Sequence, residues 1–205
     1  GLGSSSAATV GGLALGRAMS VRGDELPNYA LLEFATELEG HPDNVAPAVF
    51  GGFTVSWVEN RVGRAVQLHP HPDVVPVVAI SPTPLATSVA RELMPAEVPL
   101  ADAIFNVTRA SLLCHALTQD PELLLPATAD ALHQDHRASA YPAAHQLVST
   151  MREHGRAAVI SGAGPSVLAL AYGDPEAVAA DLSRHAGSGW DVRILAFSAA
   201  GIIES

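Results

Sequence analysis

The chain contains no lysine; all 11 of its basic residues are arginines. A Walker A loop needs Gly-Lys followed by Ser or Thr, so that phosphate cradle is excluded, as is Schiff-base chemistry on a lysine amine. The single cysteine, Cys114, cannot form an intrachain disulfide and fits a reducing compartment. No Gly-x-Ser-x-Gly, His-Glu-x-x-His or paired Cys-x-x-Cys occurs, which removes the main support for hydrolase, zinc-protease and zinc-ribbon chemistry. Apolar runs stop well short of a membrane span and no signal peptide with a basic start is evident, so no membrane partner and a cytoplasmic location are expected. With a net charge of −10 and scattered arginines, the chain lacks the basic face that nucleic acid requires. A small anion would have to be held by arginine forks and backbone N–H groups.

What is present is a large apolar fraction, 48% of 205 residues, enough to bury one large core or two smaller ones. The chain opens on "GLGSSSAATVGGLAL". Gly1 and Gly3 permit backbone conformations closed to other residues, and the serines run into a helical apolar pattern. A glycine-rich turn feeding a helix N-terminus suits a phosphate, although alone it is equally an ordinary helix cap. The pattern predicts helices over about 5–20 and 27–38, then a polar loop "EGHPDNVAPAVFGG" with two prolines. A hairpin of "FTVSWV" and "RAVQL" follows, then a buried strand at 74–80. Residues 81–100 form a proline-rich connection, and a helical block runs from about 100 to 148 with breaks near Pro121, Pro126 and Pro142.

The remainder reads as a strand at 157–161, a tight "SGAGPS" turn, a strand at 165–171, a helix at 175–186 and a strand at 190–197. Joined to the strand at 74–80, this is β-α-β-β-α-β, the split ferredoxin-like arrangement of an α+β protein. A domain boundary is expected in or near 60–73. The part before it has too few strands to close a sheet and starts inside a helix-leading loop, so a chain truncated at its N-terminus is expected.

"SGAGPS" alone would be a hairpin turn, and "EGHPDN" alone a helix end with an Asx turn. In combination, "GLGSSSA", "EGHPDNVAP" and "SGAGPS", in this order and spacing, resemble the GHMP kinases, and within them the homoserine kinases of bacteria. "TSVARELMP" at 87–95 and "LHQDHRASAYP" at 132–142 also resemble that subfamily, so the similarity covers nearly the whole chain. The family's first motif and leading strands have no counterpart here, which leaves part of the substrate pocket outside the chain and the fragment by itself inactive. The resemblance implies a GHMP two-domain fold: residues 1–65 the remainder of a ribosomal-S5-like ATP-binding domain, and 66–205 a ferredoxin-like C-terminal domain.

The implied activity is ATP-dependent phosphorylation of the L-homoserine hydroxyl in threonine biosynthesis, with ATP and Mg2+. The rival readings are another GHMP small-molecule kinase and a non-catalytic nucleotide-binding or dimerising relic of the fold. The resemblance puts the ATP phosphates over Gly1, Leu2, Gly3, Ser4, Ser5, Ser6 and Ala7, and Mg2+ on Ser5 and Glu39. Glu33 and Glu37 are alternative ligands, each with the ordinary reading of a solvated helix face. Acceptor contacts map onto His41, Asn44, Arg91 and Arg137, with Gly162 and Gly164 from the second glycine turn; arginine is the efficient fork for a carboxylate. Asp43 could accept the hydroxyl proton, or the γ-phosphate could take it. "HPHP" at 69–72 and the pair His133 and His136 have metal-like spacing but lack a third ligand, and adventitious exposure is the expected outcome. A homodimer is the assembly to test.

Overall fold

The computed structural model describes residues 1–85, 90 and 92–202. The chain divides into two compact units. One comprises Gly3–Pro70 together with the segment that begins at Phe197; the other comprises Gly1–Leu2 and His71–Ala196.

In the unit beginning at Gly3, α1 (Ser4–Met19), α2 (Asn28–Glu39) and α3 (Val45–Phe50) precede a hairpin of β1 (Phe53–Glu59) and β2 (Val62–Leu68). The strands pair antiparallel from Phe53↔Leu68 to Glu59↔Val62. They turn through Asn60 and Arg61, both at positive φ as a two-residue hairpin loop of the mirror-image type requires. Val10, Leu32, Ala35, Val45, Ala46, Val49 and Ala65 form the core of this unit, with Leu13, Phe50 and Ile202 packed around it. Residues 45–50, expected as loop because of the two prolines, are helical. Pro47 falls in the first turn of α3, where its missing N–H would have had no intrahelical acceptor.

The second unit carries β3 (Val74–Ile80), α4 (Leu100–Thr118), a short α5 (Leu124–Ala127), α6 (Pro142–Glu153), β4 (Ala157–Ile160), β5 (Val167–Tyr172), α7 (Pro175–His185) and β6 (Asp191–Ile194). The sheet order is β4-β5-β3-β6, with all neighbours antiparallel, as the split β-α-β-β-α-β reading requires. Helices α6 and α7 pack on the sheet, while α4 packs against α5 and the turn before it. Leu147, Val148, Met151, Val178 and Leu182 from the helices meet Val77, Ala79, Ala158, Val167 and Ala169 from the strands.

Pro76 sits inside central strand β3, which is unusual for a residue without an N–H. Its carbonyl accepts from Leu195 N, so its nitrogen faces the same side, just beyond the last paired residue of β6, Ile194. The register sets Pro76 opposite Leu195, so the absent donor forgoes only the return bond to Leu195 O at the end of the β3–β6 ladder. At the start of α7, Pro175 takes the first helical position and the Asp174 carboxylate caps Ala177 N at 3.0 Å.

Candidate functional site

Gly3 precedes α1 with φ +68°, a left-handed conformation that glycine adopts without steric cost. The first helical bond of α1 runs from Ala7 N to Gly3 O, so the N–H groups of Ser4, Ser5 and Ser6 have no partner within the helix. The first turn contains no acidic side chain to satisfy them, which leaves the positive end of a 16-residue helix free for an anion. A Cβ on Gly3 would stand 3.6 Å from Asn44 Oδ1, so the Asn44 side chain borders the loop.

One turn into α1 the hydroxyls converge on a single carboxylate. Ser5 Oγ donates to Glu39 Oε1 at 3.0 Å, Thr9 Oγ1 to the same oxygen at 2.7 Å, and Ser6 Oγ to Oε2 at 3.3 Å. Ser5 and Thr9 are four residues apart, hence stacked on one helix face. Glu39 is the last residue of α2, which Gly40 ends with φ +82°. The hydrogen bond from Thr9, then that from Ser5, lowers the Glu39 carboxyl below the ordinary range; partial burial opposes them, and Ser6 and the His41 charge add to the lowering. Glu39 is thus held as a carboxylate at neutral pH. Glu33 and Glu37 are exposed elsewhere on α2, and Glu33 lies 3.6 Å from Arg64.

Among the described residues no group of three or more His, Cys, Asp or Glu gathers as a metal cage. A single carboxylate with neighbouring hydroxyl oxygens is the donor set that magnesium takes when phosphate and water supply its remaining ligands. Glu39 and Ser5 fit it. Two of the candidate histidines are engaged otherwise: His71 Nδ1 accepts from Asp73 N, and His133 Nδ1 meets Asp130 Oδ1 at 3.2 Å.

In the loop after α2, His41 Nδ1 lies 2.5 Å from Asp43 Oδ1, off the line of a hydrogen bond. The same Asp43 oxygen accepts from Asn44 N at 2.8 Å, which fixes an otherwise exposed carboxylate. His41, Asp43 and Asn44 thereby form one turn beside Gly3.

In the other unit, Gly1 packs on the second glycine turn. Ser161 Oγ donates to Gly1 O at 2.6 Å, and a Cβ on Gly1 would lie 2.7 Å from Ser161 O, so only glycine fits. The turn is closed by Gly164 N to Ser161 O and Ser161 N to Ser166 O, with Gly162 and Gly164 both at positive φ. The Tyr141 ring covers Gly164, where a Cβ would meet Tyr141 Cδ1 at 2.8 Å. Arg137 is half-buried, and its Nε is enclosed without a hydrogen-bond partner among the described residues. Arg91 lies outside the described residues.

Sequence reasoning did not single out Thr9, although its spacing from Ser5 was a readable signal. It also passed over the polar cluster that anchors the Arg137 segment. Asp130 accepts from Asn106 Nδ2 at 2.7 Å and from the N–H groups of Leu132, His133 and Gln134, and Asn106 Oδ1 accepts from Ala131 N at 2.8 Å. Burial opposes the charged form of Asp130, yet the bonds from His133, Gln134 and Asn106 outweigh it and hold the carboxyl far below its ordinary range. No local signal marks this cluster, because Asn106 and Asp130 are 24 residues apart.

Residues 1–52 match the family model "GHMP kinases N terminal domain", and residues 110–188 match "GHMP kinases C terminal". The homoserine kinase of Streptomyces avermitilis is 52% identical over 202 residues, covering 98% of this chain and 65% of that protein. The homoserine kinase of Mycobacterium tuberculosis is 48% identical over 176 residues, covering 83% and 56%. The chain spans less than two thirds of the length of these relatives. Among solved structures, a homoserine kinase from Cytophaga hutchinsonii superposes with a TM-score of 0.78 at 23% identity, over 87% of this chain and 61% of that one. A putative homoserine kinase from Listeria monocytogenes gives 0.70 at 27%, over 97% and 68%. The two family matches, in the order and positions of the two glycine turns, establish that this chain belongs to the GHMP kinases.

Proposed function

We propose that the protein is a homoserine kinase, transferring the γ-phosphoryl group of ATP to the hydroxyl of L-homoserine to give O-phospho-L-homoserine in threonine biosynthesis. The observation that carries this reading is identity at about half of all positions, along nearly the whole chain, to a protein of that name.

Phosphoryl transfer asks the protein mainly for positioning and charge stabilisation. The open N–H groups after Gly3 suit the ATP phosphates, with Gly1, Leu2 and Ser4 to Ala7 forming their loop. Glu39 and Ser5 would hold Mg2+, which when bound neutralises phosphate charge. Thr9 and Ser6 keep the Glu39 carboxylate oriented and ionised. For the acceptor, His41 and Asn44 contact the amino acid near its reacting end. Arg137 and Arg91 take its carboxylate, and Gly162 and Gly164 let backbone approach it. Asp43 is the candidate proton acceptor, with direct transfer to the γ-phosphate the alternative. Residues 1–65 are assigned to the ATP-binding domain and 66–205 to the C-terminal domain; a cytoplasmic location and a homodimer complete the proposal. No helix among the described residues is long and apolar enough to cross a membrane.

The test is ADP release by the full-length protein with homoserine, mevalonate and galactose as acceptors. Homoserine should be turned over fastest, and faster turnover of either rival refutes the substrate.

A further inference from the structure

We propose that Asn106 and Gln134 are positioning residues for acceptor recognition: together they set the segment that carries Arg137 against α4 and against the glycine turn. The inference rests on the reading that Arg137 binds the acceptor carboxylate.

Residues 130–137 contain no α-helix or strand that could hold an arginine in place by itself. They are fastened instead from outside, by Asp135 Oδ1 meeting His145 Nε2 on α6 at 2.7 Å and at two further points. At one, Asn106 on α4 bonds in both directions, donating to Asp130 Oδ1 at 2.7 Å and accepting from Ala131 N at 2.8 Å. Asp130 in turn collects the N–H groups of Leu132, His133 and Gln134, so the start of the segment is rigid. At the other, Gln134 Oε1 accepts from Ile160 N at 2.7 Å. Ile160 ends β4 and is the residue before Ser161, where the turn containing Gly162 and Gly164 begins. Three residues after Gln134 the chain reaches Arg137, whose enclosed Nε has no acceptor among the described residues, and four further on Tyr141 packs its ring on Gly164.

The segment therefore grips the glycine turn from both ends, with Arg137 between the two grips. An Arg fork pairs with a carboxylate only within a narrow geometry, so its usefulness depends on how firmly the segment is set. Neither Asn106 nor Gln134 is proposed to touch the substrate.

The experiment uses full-length Gln134→Met, which removes the acceptor at similar volume, Gln134→Glu, which retains it, and Asn106→Leu, each alone and combined with Arg137→Met. Initial rates are measured with homoserine, with ATP, and with homoserinol, which bears a hydroxymethyl group in place of the carboxylate. Loosening a clamp on a reactive-site group costs about tenfold to a hundredfold. Gln134→Met and Asn106→Leu should raise the homoserine KM on that scale, leave the ATP KM within about twofold, and shrink the preference for homoserine over homoserinol. Gln134→Glu should recover most of the loss. In the Arg137→Met background neither change should add a further increase, because both act through Arg137.

An unchanged homoserine KM in Gln134→Met or Asn106→Leu overturns the inference. So does an effect shared equally by ATP and homoserinol, or full additivity with Arg137→Met. A homoserine KM unmoved by Arg137→Met itself would instead remove the arginine from the acceptor site, and the two failures are thereby told apart. Either clamp variant decides the matter if the other fails to fold.

Discussion

Thr9 is the residue on which the arrangement around Glu39 can be tested most sharply. Thr9→Val keeps the shape of the side chain and deletes only the hydroxyl that donates to Glu39 Oε1 at 2.7 Å, the shortest of the three bonds to that carboxylate. A hydrogen bond to a charged group contributes about 1.5–3 kcal/mol when well buried. Glu39 is only partly buried, so solvent screening reduces the figure to about 1 kcal/mol. If Glu39 holds Mg2+, this loss appears as a poorer magnesium site and as roughly a fivefold fall in kcat/KM at limiting Mg2+. Saturating Mg2+ should restore much of it, since the ligand itself remains. The assay is initial rate against free Mg2+ at fixed ATP, for wild type, Thr9→Val and Thr9→Ser. The serine variant, which keeps a hydroxyl, should stay near wild type. A Thr9→Val enzyme with an unaltered Mg2+ requirement would refute the reasoning, as would a loss that no Mg2+ concentration relieves.

Glu39→Gln should lower kcat by at least about a hundredfold, the scale for removing an electrostatic stabiliser of the transition state. Glu33→Gln, which disturbs only an exposed contact with Arg64, should do far less; the reverse order in steady-state kinetics would move the metal ligand. Arg137→Lys and Arg91→Lys retain charge but lose the planar fork, so homoserine KM should rise by roughly tenfold or more while ATP KM changes little. A rise confined to ATP would reassign these arginines to the nucleotide. Asp130 has a depressed carboxyl pKa in the folded state, so its contribution to stability is present above the unfolded value and is lost as pH falls through the folded one. Asp130→Asn should therefore destabilise the protein at pH 7 by about 1–3 kcal/mol in urea titration, and the gap to wild type should narrow as the pH is lowered into the acid range. A gap that widens in acid would contradict the assigned hydrogen bonds.

The sequence by itself determined where the long elements run and which turns carry the chemistry. Apolar periodicity marks α1, α2, α7 and the strands, because burial on one face leaves its spacing in the chain whatever the partner. The order β-α-β-β-α-β confines the second unit to few topologies, and the sheet β4-β5-β3-β6 is the ferredoxin-like one. The glycine turns were legible because positive φ and close approach demand glycine locally, as at Gly3 and Gly164. Tertiary structure decided what depends on side-chain direction and on distant partners. Three glutamates lie on α2, and Glu39 comes two residues past Glu37, about 200° round the helix axis. That rotation, together with the packing of α1 on α2, turns Glu39 toward Ser5, Ser6 and Thr9 and leaves Glu33 and Glu37 in solvent. α3 escaped detection because a proline within the first turn and a proline within a loop look alike until the helix is seen. The Asn106, Asp130 and Gln134 clamp had no signature at all, since its hydrogen bonds close between α4, an irregular segment and the end of β4, and only the folded chain brings those three together.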